Sequence, residues 1–262
     1  MSERAWQDVA PLLANEYEVI APTAYGHCGG EAMSARPGTY RDVLAGAARQ
    51  LDQLGLERAH LVGNSMGGWM ALDLARDGRA LSVLAISPAG MWPALKPGAR
   101  RPAAAKLAHA LKMGRRARPM LPLVYRSPRA REYAFRNIIA HGARLSPQLA
   151  LGLTDDMLGC EIAEDMLGGD AYFAPLDPAP CAITIAQAER DRIFPERIYG
   201  PLARERVPAA RYVVLPGVGH VPMLDDAQLV AATIRESLGE ARGDPLLARV
   251  SSRAGEPERA HT

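Results

Sequence analysis

A chain of 262 residues, 48% hydrophobic and 23% charged, with a formal net charge of +2, has an ordinary globular composition and room for one large domain with an insertion. So small a charge provides no argument for nucleic acid or a membrane surface as partner. No run of about eighteen apolar residues offers a membrane span, and the opening MSERAWQDVA lacks the apolar core of a signal peptide, which makes the cytoplasm the expected location.

Three cysteines, Cys28, Cys160 and Cys181, are odd in number and irregularly spaced. They read as reduced thiols, without a disulfide framework or a metal-like pair. Near the start, Trp6, Val9, Ala10, Leu12 and Leu13 recur at helical spacing. Tyr17 to Ala21 (YEVIA) is a β-prone run stopped by Pro22, so a helix and then a strand are predicted. A glycine-rich turn follows: Thr23, Ala24, Tyr25, Gly26, His27, Cys28, Gly29, Gly30. His27 there reads as an exposed turn residue rather than a catalytic one. Thr39 with Asp42 marks a helix start. Leu44, Ala47, Ala48, Leu51 and Leu54 continue one face until Gly55 ends it.

Leu61 to Ala71, LVGNSMGGWMA, is the stretch around which the chain is organised. Gly63, Asn64, Ser65, Met66 and Gly67 form G-x-S-x-G between the apolar run Ala59 to Val62 and the helix-compatible Trp69 to Ala75. That is a strand, a sharp turn and a helix. Such a turn strains the serine backbone and requires small residues two before and two after it, a demand assigned to Gly63 and Gly67. In return the serine oxygen is exposed at the first turn of a helix, where free N–H groups and the helix dipole favour a developing negative charge.

This stretch resembles the nucleophile elbow of the α/β-hydrolase superfamily, and the chain follows that family's pattern from Trp6 to about Leu238. The resemblance implies an α/β fold with a mostly parallel sheet, helices on both faces and a helical lid. It also aligns the turn at Thr23 with a family turn often reading D-x-x-G-x-G-x-S, Thr23 replacing the aspartate. Family members carry earlier strands and a His-Gly loop that supplies half of the oxyanion hole, whereas here only the N–H of Met66 is on offer. One of those strands lies, by resemblance, between the runs at Tyr17 and Ala59. The first reading is therefore that translation starts upstream of Met1, an N-terminal truncation. The others are direct pairing of the two flanking strands, or a degenerate hydrolase.

Leu81 to Ser87 (LSVLAIS) is a continuous apolar strand of the buried parallel type. From Pro88 to about Pro180 the tendency is helical and broken by proline, with helices expected over Ala103 to Met113, Arg129 to Ile139, Gln148 to Leu158 and Glu161 to Leu167. Between Lys96 and Arg136 stand twelve Lys or Arg and one acid, Glu132, whereas Asp155 to Asp177 holds seven acids and no base. Pairing between the two runs, or solvation, is favoured over a basic mouth that draws anionic substrates or touches a membrane surface. Ala182 to Ala186 is the next strand. The following ERDRIFP resembles the family's acid loop, G-x-x-D-x-x-x-P, which makes Asp191 the acid, with Ala188 where glycine is common. Arg211 to Leu215 is the last strand. Gly219 and His220 match the family's Gly-His pair before a final helix striped by Leu229, Ala232, Ile234 and Leu238.

The implied division is residues 1–90 and 181–239 for the core, 91–180 for the lid and 240–262 for a disordered tail. The implied activity is acyl transfer to water from a small ester-like substrate. Ser65 is the nucleophile, His220 the general base and Asp191 its orienting acid, with no metal or organic cofactor. Serine at the elbow separates the chain from the dehalogenase and epoxide-opening branches, which resemble this fold but use aspartate. Thioester, lactone, amide and carbon–carbon bond hydrolysis remain open, as does a non-catalytic ligand-binding role.

Overall fold

A computed structural model describes residues 2–92, 102–168 and 171–242. In chain order the elements are α1 (Ala10–Leu13), α2 (Tyr40–Gln53), β1 (Ala59–Asn64), α3 (Met66–Arg76), β2 (Ala80–Ile86), α4 (Pro102–Ala117), α5 (Leu121–Val124), α6 (Pro128–Phe135), α7 (Pro147–Leu158), α8 (Ala163–Gly168), β3 (Ala182–Ala188), α9 (Glu196–Arg206), β4 (Arg211–Leu215) and α10 (Ala227–Arg242). The four strands pair in parallel in the order β1-β2-β3-β4. The two inner strands are buried almost throughout, as the uninterrupted apolar runs require of strands covered on both faces. Ala71, Leu72 and Ala75 of α3 pack on one face with Val83, Ala85, Ile183 and Ile185. On the other face Val230, Ala231 and Ile234 of α10 join Val9 and Leu13 against Leu84, Ile86, Ala186 and Ala188.

Local chemistry sets the helix ends. Thr39 caps α2 with a full capping box: its hydroxyl accepts the Asp42 N–H, and the Asp42 carboxylate accepts the Thr39 N–H at 2.8 Å. Gly55 closes that helix with φ of +69°. Two expectations fail nearby. The run Tyr17 to Ala21 is no strand: it pairs with nothing in the sheet, not even β1, and Val19 and Ile20 are exposed. β-propensity makes a strand only where a neighbour completes the ladder, and β1 is the sheet edge. The amphipathic stretch at Trp6 is a 3-10 turn over Glu3–Trp6 followed by the short α1, which still buries Ala5, Val9 and Leu13. At the far end α10 runs through Arg242, past the expected end at Gly239. Residues 243–262 of the expected tail lie outside the described residues.

Between β2 and β3 every regular element among the described residues is helical. Leu121, Tyr125, Phe135, Ile139, Leu145, Ala150 and Leu153 give this segment a core of its own. Side chains fasten it to the sheet domain. Arg76 of α3 donates to the carbonyls of Ala174 (2.8 Å) and Pro175 (3.0 Å), and Arg206 of α9 donates to those of Phe173 and Trp92. Of the two oppositely charged runs, Arg115–Glu164 and Arg118–Asp155 pair directly. Asp165 pairs instead with Arg36 at 2.7 Å, and Asp156 accepts Ser2 Oγ at 2.5 Å and Arg4 Nε at 3.1 Å. The acidic run therefore serves both local neutralisation and attachment to the chain's first turn. Asp156→Ala strips two groups of a buried acceptor, at a cost of about 1 to 3 kcal/mol. The expected result is a melting midpoint lowered by several degrees and faster amide exchange at residues 2–6; an unchanged midpoint with unchanged exchange would remove Asp156 as an anchor.

Candidate active site

The site forms where β1, β3 and β4 end. At the end of β1, Ser65 has φ of +56° and ψ of −117°, a region that side chains avoid. Its backbone is held on both sides: Ser65 N–H donates to Ile86 O at 2.9 Å, and Ser65 O accepts from Trp69 N at 3.1 Å and Ala89 N at 2.9 Å. A Cβ on Gly63 would lie 2.2 Å from the carbonyl carbon and oxygen of Gly67, so the strand and helix backbones touch there. A Cβ on Gly67 would meet nothing within 4 Å, which corrects the assignment of a packing role to both outer glycines. The second tight position is Gly68, whose Cβ would sit 3.0 Å from Gly63 O and 3.2 Å from Pro88 Cβ. Met66 opens α3, so its N–H lies in the first turn, where no helix carbonyl is available to accept it.

Asp191 and His220 meet. Asp191 follows β3 and is buried; its Oδ1 accepts the N–H groups of Ile193 (2.8 Å) and Phe194 (2.7 Å), and its Oδ2 faces His220 Nδ1 at 2.7 Å. Burial, the largest influence, pushes the Asp191 carboxyl up. The facing charge of His220, the hydrogen bond from its ring and the two backbone N–H groups outweigh that and hold it below the usual carboxylate range. An ionised carboxylate can only accept, so Nδ1 is the ring nitrogen that donates to it, and in the neutral form of the ring Nε2 then holds the lone pair. The two loops are stitched together by backbone: Glu189 N–H to Leu215 O at 3.0 Å, Arg190 N–H to Val218 O at 2.9 Å, and Gly217 N–H to the Glu189 carboxylate at 2.6 Å.

Three contributors escape a reading of the sequence. Gln187, fully buried on β3, donates to Phe194 O at 2.7 Å and faces Asp191 Oδ2 at 3.4 Å. Phe194 sets its ring edge-on to His220 with centroids 5.1 Å apart. Asn64, beside the serine, donates to His220 O at 2.8 Å and so ties the elbow to the histidine loop. A glutamine in the mostly apolar run AITIAQA was the available signal for Gln187. Among the described residues no hydrogen bond joins Ser65 Oγ to the imidazole; such bonds tighten when a substrate is bound. His27, expected to be exposed, is half-buried with Nδ1 facing Tyr25 O at 3.2 Å, and burial lowers its imidazole to about 4. An open recess of about 440 Å³ beside α6 is lined by Arg129, Tyr133, Arg136 and Arg192 but by none of Ser65, Asp191 and His220. Among the described residues no group of three His, Cys, Asp or Glu could hold a metal ion, and no helix is long and apolar enough to cross a membrane.

A parallel sheet layered by helices, with a strained elbow at the end of one strand and an acid and a histidine on the loops after two others, defines a class of hydrolases. The chain belongs to the alpha/beta hydrolase family, whose model matches residues 1–233. It is 35% identical over 210 residues to epoxide hydrolase EphH of Mycobacterium tuberculosis, covering 74% of this chain and 94% of that protein. An esterase from Thermogutta terrifontis, solved with malate bound, has the same fold with a TM-score of 0.66 at 22% identity, over 92% of this chain and 86% of that one. So does 2-hydroxy-6-oxo-6-phenylhexa-2,4-dienoate hydrolase from Rhodococcus sp., with a TM-score of 0.68 at 21% identity, over 90% and 85%.

Two outcomes are expected. Gly63→Ala forces backbone from backbone and should cost more than about 3 kcal/mol, whereas Gly67→Ala should change stability by no more than about 0.5 kcal/mol. Urea midpoints of the two variants check this, and equal midpoints would contradict the contact geometry. Because the folded Asp191 lies below its unfolded value, its contribution to stability is complete above about pH 4 and is lost as pH falls through the folded value. The gap in unfolding free energy between wild type and Asp191→Asn should therefore shrink as pH falls below about 4; a gap unchanged in strong acid would show that the carboxylate gains nothing from its partners.

Proposed function

We propose that the chain is a serine hydrolase that cleaves small ester-like substrates through an acyl-enzyme, with Ser65, His220 and Asp191 as its catalytic residues. The observation that carries this reading is the buried Asp191–His220 pair, 2.7 Å apart, on loops tied through Asn64 to the strained turn that presents Ser65. As Ser65 Oγ attacks the carbonyl carbon, its proton passes to His220 Nε2. Asp191 holds the ring by Nδ1 and stabilises the imidazolium, and the Met66 N–H faces the oxyanion. Collapse of the tetrahedral intermediate breaks the bond to the leaving alcohol, which takes the proton from Nε2. Water then attacks the acyl-enzyme, giving its proton to Nε2. The acid departs, and Ser65 regains its proton. The helical segment, residues 91–180, acts as the lid that selects the substrate.

The name of the mycobacterial relative raises epoxide opening, and chemistry at the elbow speaks against it here. A carboxylate that opens an epoxide forms an ester, which water can hydrolyse. A serine would form an ether, which the site has no means of cleaving, and the enzyme would stop after one turnover. Hydrolysis of a carbon–carbon bond beside a carbonyl calls on the same acid–base residues, so the lid alone separates it from ester cleavage.

A fluorophosphonate probe is expected to label the protein and to fail on Ser65→Ala, and hydrolysis of p-nitrophenyl esters should fall about 10³-fold or more in Ser65→Ala, His220→Ala and Asp191→Asn. Labelling that persists without Ser65 would sink the assignment, and a carbon–carbon substrate turned over faster than any ester would move the protein to that branch.

A further inference from the structure

A second acidic side chain meets the His220 loop, and no step of the reaction uses it. Asp225 lies half-buried in the turn that follows the loop. Its Oδ2 accepts the N–H groups of Gly219 at 2.8 Å and Ala140 at 2.9 Å, and its Oδ1 accepts that of His141 at 2.7 Å. Gly219 immediately precedes His220. Ala140 and His141 belong to the helical segment, between α6 and α7. The same strut of backbone touches the loop twice more. Val221, immediately after the histidine, donates to Ile138 O at 2.9 Å, and a Cβ on Gly219 would stand 2.8 Å from Ala140 N and 3.1 Å from Ile138 O. Both neighbours of His220 are thus fastened to residues 138–141, and one carboxylate gathers the three N–H groups at the joint.

The chemistry of that joint is specific. An ionised carboxylate has no proton to place and about four lone-pair directions, so three donors converge on it without conflict and each bond is charge-assisted. An amide of the same shape keeps one acceptor oxygen and turns an NH₂ group toward N–H donors.

We propose that Asp225 is a positioning residue for His220: by clamping Gly219 to the strut 138–141 it fixes the imidazole between Asp191 and Ser65, and it makes the placement of the helical segment and of the catalytic base one geometric variable. The proposal rests on the serine-hydrolase reading above. Asp225 acts through His220 alone, so its loss misplaces the base without touching the bound substrate. A displacement of about 1 Å remote from the reacting atoms can lower a rate about 10²-fold.

The test is Asp225→Asn, assayed well below its melting midpoint. The turnover number for p-nitrophenyl acetate and the rate of fluorophosphonate labelling should both fall about tenfold or more, with KM changed less than about twofold. The downfield proton resonance of His220 Nδ1–H should broaden or shift; a residue that merely stabilised the fold would lower the midpoint and leave all three readouts in place. Gly219→Ala, which pushes the strut away while keeping the carboxylate, should give the same pattern, and combining the two changes should add little. Wild-type protein labelled at Ser65 together with an Asp225→Asn variant of full rate overturns this inference alone, whereas wild type that is not labelled overturns the hydrolase reading. Should Asp225→Asn fail to fold, amide exchange in the wild type decides: slow exchange at Ala140, His141 and Gly219 supports the clamp, and exchange there at the rate of an open chain overturns it.

Discussion

At Gly63 the backbones of β1 and α3 approach so closely that one added carbon would fall 2.2 Å from the Gly67 carbonyl. Most of the site depends on that approach. It forces the intervening residue to turn with a positive φ, and this lifts the Ser65 side chain out of the layer of side chains that strand and helix bury. It also sets the first turn of α3, with its unpaired N–H groups, beside the same oxygen. The strain at Ser65 is held by three backbone hydrogen bonds, from the ends of β2 and α3 and from the turn after β2. A sharp turn at the surface of a flexible loop would relax; here the sheet itself opposes relaxation.

The elements legible in the sequence were those whose information is local. The capping box at Thr39, the apolar runs of β2 and β3, the G-x-S-x-G turn and the Gly-His pair each show in a few adjacent residues. The run YEVIA misled because a strand is a relation between two segments, and its own composition says nothing of whether a neighbour bonds to it. Gly67 misled for a related reason: the motif names two glycines, yet the direction in which each Cβ would point separates the one in contact from the one facing open space. Asn64 reaches His220 from the end of β1 to the loop after β4, so its role appears only once the sheet is assembled, and Gln187 meets Asp191 and Phe194 only because the loop after β3 turns back on its own strand. The resemblance to a known family carried the order serine, acid, histidine, and with it the choice of Asp191 among many loop carboxylates.

Asp191 shows how a fold makes a buried charge useful. Taking a carboxylate out of water is costly, and burial here works against ionisation. The partner that does most to reverse the balance is His220, through its facing charge and its ring hydrogen bond across the joint between two loops. The N–H groups of Ile193 and Phe194 add to it, and because they are fixed two and three residues along the same loop their ordering is already part of the turn. An aspartate suits this arrangement because its short side chain sets one oxygen for its own loop and the other for the imidazole, with few rotamers to lose.

The same division of labour runs through the molecule. Ser65 is held by backbone hydrogen bonds and a close backbone contact, whereas His220 is held by the side chains of Asp191 and Asn64 and, through Gly219, of Asp225. The helical segment is held by a few backbone bonds, Val221 N–H to Ile138 O and Leu176 N–H to Arg206 O among them, and otherwise by arginines on carbonyls and ion pairs such as Arg36–Asp165, the exposed ones open to screening by salt. Side-chain attachments of that kind tolerate exchange, so the helical segment can be rebuilt while the elbow and the paired loops stay fixed. An ester, a thioester and a carbon–carbon bond next to a carbonyl all require the same proton transfer. On the proposed mechanism the choice among them falls to the helical segment, and a single sheet can serve substrates that share little beyond a carbonyl carbon.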